Sequence, residues 1–124
     1  MGGGGPVNPV LLSEGSGRTR ISLAVYPIGS DRVVVIYNDQ AHLGAAALAD
    51  YHIQAQRAST SVLTRLGHKD DALAYQAAHR LCRHLKGPVC AIAGVHLDDI
   101  TEPEIAEIRQ NCDRLLDRLI RDYL

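Results

Sequence analysis

The sequence contains no tryptophan and no phenylalanine, and five tyrosines are its only aromatic residues. Its core must therefore be aliphatic, built from Leu, Ile, Val and Ala. It also lacks an excess of either charge: 13 Lys and Arg stand against 14 Asp and Glu. A nucleic-acid partner usually selects a basic excess or a dense basic stripe, so none is expected. The nearest approach is Arg80, Arg83, His84 and Lys86, which reads as the solvated last turn of a helix, favoured by the helix dipole. No apolar run nears the roughly 18 residues of a membrane span, so no membrane partner is expected. The opening "MGGGGPVNP" has neither the positive start nor the apolar stretch of a signal peptide. Pro6 stands where N-myristoylation needs Ser or Thr.

Cysteines are few. Cys82, Cys90 and Cys112 are widely spaced among apolar residues and form no CxxC pair, which argues against structural zinc or a dithiol redox site. Buried thiols in a reducing, cytoplasmic compartment are the expectation. Motifs of covalent and nucleotide chemistry are missing too. There is no GxSxG, and Gly2–Gly5 precede no strand, so neither GxGxxG nor a P-loop is present.

What is present fits one domain. Of 124 residues, 46% are hydrophobic and 22% charged, ordinary for a globular chain. Residues 1–17, rich in Gly, Pro and Ser, read as a flexible leader, whose "PVLL" would dock on the body or a partner. The single α/β domain is expected over 18–124. "RTRISLAVYPIG" alternates through Ile21, Leu23 and Val25, the period of a half-buried strand. "GSD" at 29–31 supplies a turn, and "RVVVIYN" completes a hairpin. "AHLGAAALADYHI" is read as a third strand in preference to a helix, since Gly44 weakens a helix. Residues 54–66 look irregular, polar and rich in Ser and Thr.

From Asp70 the pattern is helical: Leu73, Ala74, Ala77, Ala78, Leu81, Cys82 and Leu85 form one stripe, closed by Lys86-Gly87-Pro88. "PVCAIAGV" is a short buried strand. Thr101 and Glu104 form a capping box for a last helix, with a stripe of Ile105, Ile108, Cys112, Leu115, Leu119 and Tyr123. The order β-β-β-α-β-α predicts an α/β fold in two layers (α+β), a small, mostly antiparallel sheet with helices on one face. An exposed edge or open face would favour a homodimer.

Three of six histidines fall at element boundaries: His42, His68 and His96. Strand ends and helix starts meet along one rim of such a fold, where ligands bind, so the three are expected to converge. Asp70 and Asp71 read as ordinary helix-start carboxylates. Lys69 does not, because a cation opposes the dipole unless an anion lies between them; with His68 it suggests a phosphate site. "GVHLDDIT" repeats the pattern with His96, Asp98 and Asp99. Imidazole with carboxylate suits Mn, Fe or Zn, giving a candidate metal set of His42, His68, His96 and Asp98. The same residues also allow a small metal-dependent hydrolase or lyase using His96 with Asp98 or Asp99 as base.

At "HLGAAALA", "GHKDD" and "AGVHLDDIT" the sequence resembles the prenylated-flavin chaperones, a family that includes a small gallate decarboxylase component and is associated with UbiD-type decarboxylases. The likeness runs over about residues 20–122. It implies a non-catalytic dimer related in fold to proteasome-assembly-chaperone-like domains. Such a protein would bind prenylated FMN (or FMN), with a divalent metal, and help deliver or mature the cofactor of a UbiD-type decarboxylase. The matching positions are His42, His68, Lys69, Asp70, Asp71, His96, Asp98 and Asp99. The flavin phosphate would meet Lys69 and His68. The ring would lie on a flat floor of small residues from Gly44 to Ala47, and His42 and Asp70 complete the candidate cofactor-binding set.

Overall fold

The computed structural model describes residues 9–66 and 70–124. In chain order the elements are β1 (Val10–Glu14), β2 (Ile21–Ile28), β3 (Asp31–Tyr37), β4 (Ala45–His52), β5 (Arg57–Thr64), α1 (Asp71–Leu85), β6 (Val89–Gly94) and α2 (Glu102–Tyr123). The six strands form one sheet in the order β1-β2-β3-β6-β4-β5. β6 inserts between β3 and β4, parallel to the first and antiparallel to the second. Every other pairing is antiparallel. Gly29 has φ +58 in the two-residue turn that pairs Ile28 with Asp31, a conformation glycine adopts without steric cost.

Both helices pack on one face of the sheet, as expected from the element order. Leu23, Ile36, Ala93 and Ala45 stand in one row on that face, and all are buried with Leu81, Leu115 and Leu119. The stripe of α1 is buried from Leu73 to Cys82. Burial pushes the thiol of Cys112 up to about 12 and that of Cys82 upward, so both stay protonated and inert.

Two strands exceed the expected order. β1 falls inside the segment read as a flexible leader, where Val10–Leu12 dock on β2 with Leu12 buried. Arg118 holds this strand, its Nη1 donating to the Ser13 carbonyl at 2.8 Å and to Glu14 Oε2 at 3.0 Å. β5 occupies the stretch read as irregular. Its outward residues Arg57, Ser59 and Ser61 are polar and exposed, while Ala58, Thr60 and Val62 turn inward and are half-buried. An edge strand pairs on one side only and needs little apolar surface, which is why composition hid it.

Smaller corrections follow the same logic. The left-handed residue that ends α1 is Lys86, φ 56, with its N–H on the Cys82 carbonyl, and Gly87 lies beyond it. On α2, Ile105 is half-buried and Tyr123 exposed, whereas Asn111 is buried. Asn111 Nδ2 donates to the Thr19 carbonyl at 3.0 Å, tying the chain before β2 to the helix.

Candidate functional site

Because β3 and β6 run parallel, their C-terminal ends share one edge of the sheet, and β4 starts there. α1 also begins at this edge. The rim is built from the backbone upward. Asn38, buried just after β3, reaches across to residue 96: its Nδ2 donates to the His96 carbonyl at 2.8 Å, and its Oδ1 accepts the His96 N–H at 3.1 Å. Asp70, also buried, accepts the preceding N–H, that of Val95, on Oδ1 at 3.2 Å. Two side chains from distant segments thus fix three successive peptide groups, and burial makes each bond count for more.

Two glycines allow this edge to close. A Cβ on Gly44 would collide with the Asp70 carboxylate, and one on Gly94 with the His42 carbonyl. The Gly44 N–H donates to the Ala93 carbonyl at 3.0 Å, and its carbonyl accepts from Arg65 N at 2.9 Å. His42 is thereby set against His96, ring centroids 4.9 Å apart and planes tilted by 44°. His96 Nε2 lies 2.9 Å from Asp98 Oδ1. Arg18 holds the loop carrying Asp98, its Nη2 donating to the Asp98 carbonyl at 2.7 Å.

Arg18 also caps the neighbouring helix start. Its Nε donates to Glu104 Oε2 at 2.7 Å, and with Thr101 this holds the Glu104 carboxyl at about 2, well below its ordinary range. The expected capping box is complete, with Thr101 Oγ1 accepting from Glu104 N at 3.3 Å and Glu104 Oε1 accepting from Thr101 N at 3.1 Å.

Between the starts of α1 and α2 a cleft of about 600 Å³ opens beside His96. Leu73, Val95, Leu97, Ile100, Ile105 and Ile108 give it apolar walls, and Asp70, Glu102 and Arg109 are its charged residues. That volume and that mixture of apolar wall and sparse polar groups are those of a small-molecule site.

The structure therefore unites His42, His96 and Asp98, with Asp70 and Gly44 directly beneath. His68 and Lys69 lie outside the described residues. Asp70 is not the simple cap that the sequence suggested: its side chain makes no cap hydrogen bond and reaches the Val95 N–H instead. The small-residue floor is corrected as well. Ala45, Ala47 and Ala49 are buried on the helix side, under the alanine-rich stripe of α1, and Gly44 makes room for Asp70. Asn38, Arg18 and the cleft escaped the sequence reading. A polar residue directly after an apolar strand was the available signal for Asn38. On α1, the ring of His79 stacks on Tyr75 with centroids 5.1 Å apart and its Nδ1 lies 2.9 Å from Thr60 Oγ1.

The metal expectation finds no support in this donor set. No three His, Cys, Asp or Glu side chains among the described residues gather closely enough to hold an ion. The metal-dependent hydrolase or lyase built on His96 with Asp98 or Asp99 finds no support among the described residues either. Among the described residues no helix is long and apolar enough to cross a membrane.

A two-layer sheet and helix body with a polar rim and an adjoining apolar cleft defines a small α+β domain. Its fold is similar to that of a chain in the crystal structure of a chaperone complex for yeast 20S proteasome assembly, with TM-score 0.63, 14% identity, and coverage of 90% of this chain and 94% of that one. No curated protein sequence matches significantly. The family model described as the prenylated flavin chaperone LpdD-like domain matches residues 15–124, and the chain belongs to that family. By that family it is a chaperone rather than a catalyst.

Proposed function

We propose that this chain binds prenylated FMN at the His42–His96 rim and its cleft, and hands it to a UbiD-type decarboxylase in the cytoplasm. The observation that carries the reading is the pairing of His42 with His96, which lines a largely apolar cleft, in a chain of a prenylated-flavin chaperone family. Flat imidazole rings offer a flavin both a stacking surface and ring nitrogens for its carbonyl and N–H edge. Asp98 orients His96 for that contact. Asp70 and Asn38 hold the backbone beneath, so the rim is preorganised and loses little freedom on binding. No metal is invoked, because the described donors do not assemble a shell.

Two copies associate through the face of the sheet that the helices leave bare. Across it runs an uncharged row of Leu11, Ala24, Val35, Ile92, Ala46 and Leu63, one residue from each strand. Six strands spaced about 4.8 Å apart and three such rows cover about 580 Å². Pairing two copies would bury about 1,200 Å² in total, at the foot of the range for specific interfaces.

Co-expression with a flavin prenyltransferase tests the binding. The purified protein should carry the visible absorbance of the flavin and release it to an apo-decarboxylase, restoring turnover. A colourless protein that takes up no added prenylated FMN rules the reading out. Light scattering tests the dimer, which Leu48→Asp on the bare face should dissociate.

A further inference from the structure

The cleft has a direction. His96, Asp70 and Glu102 stand at the end where the helices start, and Arg109 lies seven residues along α2 from Glu102, about 10 Å at the helical rise. That span, extended by the arginine side chain, suits the reach from a flavin's pyrimidine edge, along the ribityl arm carried by its central ring, to the phosphate. Charge differs between the ends: two carboxylates at the helix starts, one guanidinium at the other. Arg109 is the one Lys or Arg among the described residues that line the cleft, and it is exposed there.

We infer that Arg109 is the phosphate anchor of the cleft, so that the flavin lies lengthwise between α1 and α2. The inference rests on the flavin reading given above and adds an orientation to it. The pyrimidine edge, with its N–H donor and carbonyl acceptors, sits at the His96–Glu102 end. The ring system lies on Leu73, Leu97 and Ile105. The ribityl arm carries the phosphate to Arg109. A phosphate dianion beside Asp70 and Glu102 would be repelled, while a guanidinium gives it a charge-assisted, bidentate partner. The sequence pattern alone assigns the phosphate to Lys69, which lies outside the described residues; the cleft lining assigns it to Arg109.

The test titrates two probes, prenylated FMN and its phosphatase-treated dephospho form, into wild type and three variants, following absorbance. Arg109→Gln should weaken prenylated FMN about ten-fold, equivalent to about 1.4 kcal/mol, and leave the dephospho form within about two-fold. Ala72→Trp, at an exposed position on the cleft wall, should abolish binding of both probes. Lys69→Gln should leave the ratio between the probes unchanged. Melting temperatures close to wild type establish that the variants fold. If wild type binds and Arg109→Gln leaves that ratio unchanged, or Lys69→Gln takes the phosphate-selective loss instead, the anchor assignment is overturned while the flavin reading stands. Binding undiminished by Ala72→Trp overturns the lengthwise placement. Wild type that takes up neither probe overturns the flavin reading and this inference together.

Discussion

The two long helices begin with similar residues and use them in opposite ways. "GHKDD" leads into α1 and "GVHLDDITEPE" into α2, each with an imidazole followed by two carboxylates. At α2 the polar groups serve the helix: Thr101 and Glu104 cap it reciprocally at the surface, and Arg18 fastens Glu104 from the chain before β2. At α1 the capping residue turns inward. Asp70 is buried, leaves its own helix uncapped by side chain, and holds the Val95 N–H at the end of β6. One start stabilises a helix end; the other ties a helix to the rim that presents His96. Residue type and spacing are nearly the same, and burial decides the use.

The largest expected effect lies on the α1 side of this contrast. Gly94→Ala drives a methyl group into the His42 carbonyl, which is backbone and yields little. We expect a loss of about 3 kcal/mol in denaturant unfolding, together with separation of His42 from His96, visible as changed imidazole resonances. Asp70→Ala removes a buried carboxylate and leaves the half-buried Val95 N–H without it, and should cost about 2 kcal/mol, more than an ordinary cap. Thr101→Ala, the counterpart at α2, should cost about 1 kcal/mol. If the two substitutions cost the same, the contrast between the helix starts fails.

Glu104→Gln gives the smallest effect at neutral pH and the clearest signature in acid. The folded-state pKa of about 2 lies below the ordinary 4.5. The pair with Arg18 therefore adds stability above pH 4.5, and that share disappears as pH falls from 4.5 towards 2. The variant should show a flatter stability profile over that interval than wild type, measured by urea unfolding at successive pH values. An unchanged slope would mean that Arg18 and Glu104 are not coupled.

How much of this was written in the sequence depends on whether a feature is local. The capping box at Thr101 and the stripes of α1 and α2 follow from three- and four-residue spacing, and they were legible. The meeting of His42 with His96 was legible as well, because strand ends and helix starts share a rim in this architecture. Strand β5 was not, since an edge strand needs few apolar residues and Arg57, Ser59 and Ser61 resemble a loop. The roles of Asp70 and Asn38 were hidden for another reason. Both bond to the peptide groups around His96, far along the chain, and no local spacing encodes which backbone a side chain will meet. Gly44 illustrates this: its need for a missing side chain comes from Asp70, 26 positions later.

The central claim is that the paired histidines form the flavin rim. It is tested most directly by titrating prenylated FMN into wild type and into the double variant His42→Ala, His96→Ala, with melting temperature recorded for both. The account predicts saturable binding by wild type and at least about ten-fold weaker binding by the variant, at a melting temperature within a few degrees of wild type. Equal affinity in two equally folded proteins would contradict it.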